Sequence, residues 1–449
     1  MCAVKSESGS LNAVLVQDSA EQFWEKRLPF TGIESSHLYL ARCPHASFSE
    51  GHGQWEQLPR YLKDEGVQVF ELASTLRKVV ENATLEERRR IVDEIWKGKR
   101  SKPSAEDLTV ENLLLGHPSE PYYDVKADQV ILPDFTRVAW PYARDTSFTT
   151  QVGTVICSMR RYSRRFEPSV VKIAYEYDPI LSKRVNIIWD ANEETGSITE
   201  PLCVEGGDTQ IIDEETVAIG VGQRSTFTGF METARRLFTH DDDREIKYVC
   251  AVTNPDYPAV DYMHLDVVIN YPDDGKALVM PYYFDSDLVK GMPKKRLLLK
   301  TFEAIRAGSE LDDRPMESLV HPNDFMDAGH CSVYVRDGVE PKLERREPSL
   351  LDFLIKEGKL DADGIIYVGG EPKNDNDVKH MMGALMEQAR GASNIVTIKP
   401  RLVVAYKRNK ETNEALKEHG IEVKEWDDSY LDMLGGPHCS TSPLSRDAP

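Results

Sequence analysis

The fold is first indicated by residues 60–70, which read RYLKDEGVQVF. The residues before Gly66 are typical of the last turns of a helix, Gly66 suits the left-handed residue that ends one, and Val67 and Val69 start the alternation of a strand. Residues 414–424, EALKEHGIEVK, repeat this pattern near the other end of the chain. The order helix, glycine, strand is common in α/β proteins. Its recurrence at both ends hints at internal repetition, in a fold that closes on itself.

Short β-branched segments dominate the chain after residue 124. They predict strands at residues 130–132, 154–157, 185–189, 216–221, 248–252, 267–269 and 394–398, with helices between some of them, at 229–238 and 377–389. Residues 74–120 differ, because apolar residues recur there at helical spacing among dense charge, and Asn82, or Thr84 with Glu87 three residues on, resembles a capping box. No long linker divides the chain. We therefore expect one α/β domain over residues 1–449 with a helical insertion at residues 74–120.

The composition of the 449 residues, 40% hydrophobic and 29% charged, is that of an ordinary globular protein and excludes a collagen-like or wholly disordered chain. Lys and Arg total 55 against 75 Asp and Glu, a net charge of −20. An acidic chain is a poor non-specific ligand for nucleic acid. No apolar run reaches the roughly 20 residues of a membrane helix, and the first residues lack the apolar segment of a secretory signal. We expect a cytoplasmic protein with neither nucleic-acid nor membrane partners.

The seven cysteines are odd in number and show no CxxC spacing, which argues against a disulfide framework and a structural zinc site. Cys43, His45 and His52 match no zinc pattern. The acidic run at residues 241–243 lacks the closing glutamate of a calcium loop. The sequence therefore predicts no metal, and any special cysteine has to be sought singly as a nucleophile.

Cys439 is the candidate nucleophile. It lies in residues 434–441, LGGPHCST, where the Gly-Gly-Pro turn could present the thiol and where His438 and backbone N–H groups could lower its pKa. Cys157 and Cys250, which lie in predicted strands, are instead expected to be small core residues.

Two further motifs carry groups suited to acid–base chemistry. In His264-Leu265-Asp266, read as the start of a strand, the imidazole and the carboxylate would point to one face. Residues 205–208, EGGD, place two carboxylates around glycines that would let the backbone approach a ligand closely. A structural pair in the first motif, and a hairpin turn with solvated acids in the second, are the alternative interpretations.

Three more charged residues stand out. Asp145 follows Arg144 in residues 140–147, WPYARDTS, where a surface ion pair is the plain explanation. Arg164 and Arg224 could each hold a carboxylate in bidentate fashion.

The four motifs, in the order Arg-Asp, Glu-Gly-Gly-Asp, His-x-Asp and Gly-Gly-x-His-Cys, together resemble the arginine deiminases among the guanidino-group-modifying enzymes. The resemblance runs over most of the chain. It implies a five-bladed α/β propeller of ββαβ modules with the site at its centre, which would account for the repeated pattern at the two ends.

The resemblance also implies a role for each candidate. Asp145 and Asp266 would hold a guanidinium, the Cys439 thiolate would attack its central carbon, and His264, oriented by Glu205, would protonate the leaving ammonia and then deprotonate water. Arg164 and Arg224 would hold the carboxylate of an amino-acid substrate. No cofactor is implied. The substrate would be a small guanidino compound, most simply L-arginine hydrolysed to L-citrulline.

Three positions depart from the family pattern, and two of them, Ala139 and Leu434, lie at the end that recognises the amino acid. Ala143 replaces a threonine, Ala139 an asparagine and Leu434 an arginine. The alternatives are another carboxylate-bearing guanidino substrate, an amidinotransferase in which an amine replaces water, and a non-catalytic guanidino-binding protein. A homo-oligomer is left open.

Overall fold

The computed structural model describes residues 1–17, 53–98, 101–117, 122–131, 142–161, 164–193, 201–255, 262–308, 326–374, 377–427 and 436–449. The strands are β1 (Leu11–Val16), β2 (Gln68–Glu71), β3 (Tyr122–Asp124), β4 (Gln129–Ile131), β5 (Ser147–Thr150), β6 (Gly153–Ile156), β7 (Ile187–Asp190), β8 (Thr209–Asp213), β9 (Thr216–Val221), β10 (Tyr248–Thr253), β11 (Ile269–Asp273), β12 (Gly275–Val279), β13 (Cys331–Asp337), β14 (Glu340–Glu347), β15 (Leu360–Tyr367), β16 (Val396–Lys399), β17 (Leu402–Tyr406), β18 (Glu422–Trp426) and β19 (Thr441–Arg446).

The helices are α1 (Gln57–Asp64), α2 (Leu72–Asn82), α3 (Leu85–Ile95), α4 (Val110–Leu115), α5 (Glu167–Tyr177), α6 (Phe227–His240), α7 (Lys295–Gly308), α8 (Leu350–Lys356), α9 (Val378–Gln388) and α10 (Lys410–Glu418). None of the helices in the described ranges is long and apolar enough to cross a membrane.

One pairing pattern recurs in five sheets. In each, a central strand pairs antiparallel with one neighbour and parallel with the other, in the orders β5-β6-β7, β8-β9-β10, β11-β12-β15, β16-β17-β18 and β19-β1-β2. A parallel neighbour requires a crossover connection, and helices supply it. The hairpin β13-β14 widens the second sheet to five strands. The expected α/β class is thus confirmed.

The two helix-glycine-strand stretches occupy equivalent places in this pattern. Gly66 (φ +85°) joins α1 to β2, and Gly420 (φ +77°) joins α10 to β18, so both glycines take the left-handed conformation that their side-chain-free backbone allows. Each stretch forms the parallel edge of its sheet. Because β1 pairs with β19, the first and last strands share one sheet.

A tight turn precedes the first strand of each sheet. Three of these are 3-10 turns, Ala143–Thr146, Gly206–Asp208 and Leu265–Val267, and the other two lie at residues 391–394 and 437–440. Backbone or side-chain hydrogen bonds join neighbouring turns: Arg144 to the Cys439 carbonyl, Leu265 to Asp208, Asn394 to the Asp266 carbonyl, and Cys439 to Asn394. Gly206 lies against the Arg144 carbonyl, where a Cβ would come within 2.1 Å of the oxygen. The five turns are therefore in mutual contact.

Helices α2, α3 and α4 follow β2 and pack with α5 in one apolar cluster that includes Leu76, Ile91, Leu113 and Val171. The expected capping box is present, since Thr84 accepts from the N–H of Glu87 while the Glu87 carboxylate accepts from the N–H of Thr84. The segment therefore contains helices, and of the two capping residues considered it is Thr84 that begins α3, whereas Asn82 is the last residue of α2.

Candidate active site

Cys439 lies in the turn before β19, and its side chain is 4% exposed. Its Sγ lies 3.3 Å from Asp266 Oδ2 and accepts a hydrogen bond from Asn394 Nδ2 at 3.1 Å. Burial, followed by the charges of Asp266 and Asp145, raises the pKa of the Cys439 thiol well above its ordinary value. The resting form is therefore the thiol. His438 and backbone N–H groups were expected to lower this pKa; a backbone hydrogen bond at Gly436 does so, but burial and the two carboxylates outweigh it. The His438 imidazole faces a carboxylate, with Nδ1 2.8 Å from Asp266 Oδ2.

His264 lies at the meeting of the Gly206–Asp208 and Leu265–Val267 turns. Its Nε2 donates to Glu205 Oε2 at 2.8 Å, and its Nδ1 lies 3.6 Å from Asp145 Oδ1. Burial disfavours the imidazolium, but Asp145, Asp208 and the hydrogen bond to Glu205 outweigh it and raise the pKa of His264 to about 9. His264 is thus protonated near neutral pH, as a proton donor has to be.

The carboxylate of Glu205 is ionised in the same arrangement. Burial acts against the charge, but Arg224 and the hydrogen bond from His264 lower the pKa of Glu205. Gly207 allows this packing, because a Cβ there would come within 2.6 Å of Asp145 Oδ1 and 2.8 Å of His264 Nδ1. At Gly207 the backbone thus lies close to side chains of the site, and the expected approach of this glycine pair to a ligand stays a prediction.

The strand predicted to carry His264 and Asp266 is wrong. His264 is extended, but Leu265–Val267 form a 3-10 turn and β11 begins only at Ile269. The turn is stabilised by contacts from distant segments: the Leu265 N–H donates to Asp208 Oδ1 at 3.2 Å, and Asn394 Nδ2 donates to the Asp266 carbonyl at 2.9 Å.

Asp145 and Asp266 each use one oxygen and leave the other open. Arg164 Nη1 donates to Asp145 Oδ2 at 2.5 Å, and His438 holds Asp266 Oδ2. The Oδ1 atom of each carboxylate is buried and has no hydrogen-bond partner within the described ranges. Two buried acceptors without donors beside a thiol are typical of a site that awaits a ligand rich in N–H groups.

The two arginines differ in how far they are engaged. Arg164 donates to both oxygens of Glu167 as well as to Asp145. Arg224 lies 3.4 Å from Glu205 through Nη1, and its buried Nε has no partner in the part of the chain described. The structure thus brings both near the catalytic candidates, and Arg224 retains the free donor.

Asp145, Glu205 and His264 also offer one ligand atom each within 4.8 Å, close enough to hold a metal ion. The guanidinium groups of Arg164 and Arg224 are paired with the same carboxylates. A metal ion at that point would also have to displace the proton that His264 holds near neutral pH, since a histidine binds a metal only in its neutral form.

Sequence reasoning missed two residues of the site. Glu7 is buried and lies 3.3 Å from both Arg144 Nη1 and His438 Nε2; burial opposes its charge, but Arg144 and His438 lower the pKa of Glu7 to about 2. Asn394 contacts the candidate nucleophile Cys439 and was expected in a strand. Neither residue lies in a motif, so no local signal marked them.

Five residues considered from the sequence lie outside the described ranges: Ala139, Leu434, Cys43, His45 and His52.

Comparison with known proteins shows which enzyme family the chain resembles. A family model described as arginine deiminase matches residues 125–294 and 375–446, more than half of the chain. An arginine deiminase of Bacillus thuringiensis subsp. konkukian is 27% identical over 425 residues, covering 94% of this chain and 86% of that protein. An arginine deiminase of Listeria monocytogenes serotype 4a is 26% identical over 312 residues, which cover 68% of this chain and 61% of that protein.

Among solved structures, the amidinotransferase SxtG from Microseira wollei has a TM-score of 0.50 at 14% identity, covering 100% of this chain and 98% of its own. This likeness concerns the fold alone. Fold, site and relatives together define a guanidino-group-modifying enzyme that hydrolyses a C–N bond of an amidine. The chain belongs to the arginine deiminase family.

The stability of the protein is expected to depend on pH through His264. Since its pKa in the folded protein, about 9, exceeds the ordinary value of 6.5, the folded state holds the proton more tightly. Its contribution is complete below pH 6.5 and is lost as the pH rises through 9, an effect of about 3 kcal/mol. Urea unfolding at both ends of this range should show the loss for the unaltered protein and a smaller loss for His264→Gln. Equal losses in both proteins would contradict the assignment.

Proposed function

We propose that the protein hydrolyses L-arginine to L-citrulline and ammonia through a covalent thiouronium intermediate on Cys439. The observation that carries the proposal is the pair of open carboxylate oxygens, Asp145 Oδ1 and Asp266 Oδ1, beside a thiol and a protonated His264. A guanidinium is planar, cationic and rich in N–H donors, so it satisfies both acceptors at once.

Binding prepares the nucleophile. The positive guanidinium offsets the charges of Asp266 and Asp145 that oppose ionisation of the thiol, and the thiol proton is released to solvent. The Cys439 thiolate then attacks the central carbon of the guanidinium. His264 gives its proton to the departing nitrogen, ammonia leaves, and the carbon–sulfur bond remains as the thiouronium.

Hydrolysis reverses the role of His264. Now neutral and held by Glu205, its imidazole takes one proton from water as the oxygen adds to the thiouronium carbon. The carbon–sulfur bond breaks, the thiolate is restored, and the second proton of the water is lost as the ureido carbonyl forms. Asp145 and Asp266 bind the substrate throughout.

The carboxylate end of the substrate is assigned to Arg224 and Arg164. The buried, unpartnered Nε of Arg224 supports its part directly. Arg164 would have to share the donors that it now gives to Glu167 and Asp145. Because Arg224 has a free donor and the donors of Arg164 are already in use, we expect a substrate with one carboxylate that is bound chiefly by Arg224.

We also propose that the five sheets form the blades of a five-bladed α/β propeller whose central turns carry the site. Residues 1–449 would be a single catalytic domain, with residues 74–120 inserted as helices. A cytoplasmic location would suit the free thiol, which an oxidising compartment would put at risk.

The test is a substrate panel. The purified protein is incubated with L-arginine, agmatine and guanidino acids in ¹⁸O-labelled water, and ammonia and product masses are followed. We expect ammonia release and one labelled oxygen in citrulline from L-arginine. Turnover of another compound instead of L-arginine would show that the protein has a different substrate but the proposed hydrolytic mechanism. Amidino transfer to an added amine without label would replace hydrolysis, and the absence of any product would overturn the proposal.

A further inference from the structure

Asn394 lies beside the nucleophile with every hydrogen-bonding position of its amide engaged. Its Oδ1 accepts from the backbone N–H of Gly436 at 2.9 Å and of Cys439 at 3.0 Å. Its Nδ2 donates to the Asp266 carbonyl at 2.9 Å and to Cys439 Sγ at 3.1 Å. Two N–H groups on one side and a carbonyl on the other determine which end is nitrogen. The amide therefore directs an N–H at the sulfur.

The surroundings of Cys439 disfavour its thiolate, so a hydrogen-bond donor at the sulfur has a large effect there. Asp266 and Asp145 oppose a negative charge on sulfur, and burial removes the water that would otherwise solvate it. The hydrogen bonds of the nearby cationic groups go to other acceptors: Arg144 donates to Glu7 and the His438 carbonyl, and the His438 imidazole faces Asp266 and Glu7. The Nη2 of Arg144 is buried and has no partner within the described ranges. Among the described residues, the side-chain N–H that donates to Sγ belongs to Asn394.

We propose that Asn394 is a catalytic residue that stabilises the thiolate of Cys439 through its Nδ2–H, each time the thiolate forms before attack and is released by hydrolysis. A hydrogen bond to a charged acceptor is roughly twice as strong as one to a neutral acceptor. The amide therefore favours the thiolate over the thiol. The inference rests on the proposed function, because it assumes that Cys439 acts as the nucleophile.

The test titrates the thiol directly and needs no substrate. The thiolate fraction of Cys439 is followed against pH, from about pH 6 to 9, as the rate at which the peptide that contains Cys439 is alkylated by iodoacetamide, because the thiolate is the reacting form. In Asn394→Ala we expect the Cys439 titration to move upward by about one to two pH units, because a hydrogen bond to a charged group is lost. Turnover of the substrate at neutral pH should fall by about the same factor, 10- to 100-fold.

Asn270→Ala is the matched control. Asn270 is also buried and donates to the same Asp266 carbonyl, at 2.6 Å, but its other hydrogen bond in the described part of the chain goes to the Ser393 carbonyl and not to the sulfur. Its variant should leave the Cys439 titration where it is in the unaltered protein.

Asn394→Asp separates charge stabilisation from architecture. It keeps the shape and both acceptor contacts to the turn, loses the donors and adds a negative charge, so its upward shift should be at least that of Asn394→Ala. Titration at the unaltered pH in both variants would overturn the proposal and leave Asn394 a purely structural residue. Failure of the proposed function would show differently, as an absence of guanidino turnover by the unaltered protein whatever the titrations give.

Discussion

Cys439→Ala is expected to abolish ureido product formation, with a fall in turnover of roughly 10⁴-fold or more, the scale on which a covalent nucleophile is felt. The reason is chemical, because in the proposed reaction Cys439 Sγ, which lies 3.3 Å from Asp266 Oδ2, forms the covalent bond to the guanidinium carbon. Ammonia release and product mass are measured on the best substrate of the panel. Acid quenching of the unaltered enzyme during turnover should also trap an adduct on the peptide that contains Cys439.

Cys250→Ala is the control for this loss. Cys250 is a fully buried core residue in β10, and its removal should leave turnover nearly unchanged. Ureido product from Cys439→Ala at the rate of the control would show that another group performs the attack. Cys439→Ser keeps the size of the side chain and should be as inactive as Cys439→Ala, since a buried hydroxyl is a weak nucleophile at its ordinary pKa.

Gly207→Ala is expected to lower kcat by about 100-fold while the protein remains folded. The new methyl group would overlap Asp145 Oδ1 and His264 Nδ1, at 2.6 and 2.8 Å from the position of the Cβ. Both side chains have to move, and a displacement of about 1 Å in a reacting group costs a factor of this size. Steady-state kinetics with circular dichroism on the same samples measure the effect.

Gly383→Ala provides the comparison, because that glycine lies in α9 with open space around its Cβ position. Alanine is favoured over glycine in a helix by about 1 kcal/mol, so this variant should be as active as the unaltered protein and slightly more stable. Full activity of Gly207→Ala would mean that His264 and Asp145 do not need their present separation.

Local patterns in the sequence predicted much of the fold. Residues 216–221 form the predicted strand, the predicted helices at 229–238 and 377–389 appear as Phe227–His240 and Val378–Gln388, and both helix-glycine-strand stretches are present. These elements depend on propensity, periodicity and a left-handed glycine, all of which are written within about ten residues of chain.

The turns of the site could not be predicted in the same way. The β-branched run after Asp266 favours a strand, yet the backbone turns there because Asp208 and Asn394 bind it from segments far away along the chain. Asn394 was assigned to a strand for the same reason. The identity of the candidate residues came from motifs, whereas their charge states depend on burial and on neighbours that no short window contains. The contacts of His438 with Asp266 and Glu7, for example, join residues that are far apart along the chain.

Because β1 pairs with β19, the sheet that contains β1 is completed only after β19 has been synthesised. Four of the five turns, with every carboxylate and imidazole of the site except His438, are made before the turn that carries Cys439. Until the ribosome has released β19, one edge of β1 is an unpaired strand edge, the kind of surface on which incomplete chains associate. Pairing of β19 with β1 then brings the Cys439 N–H to Asn394 and Arg446 to the Glu7 carbonyl. The contacts of Cys439 with Asn394 and Asp266 therefore form only when β19 is in place, and the same pairing covers the unpaired edge of β1.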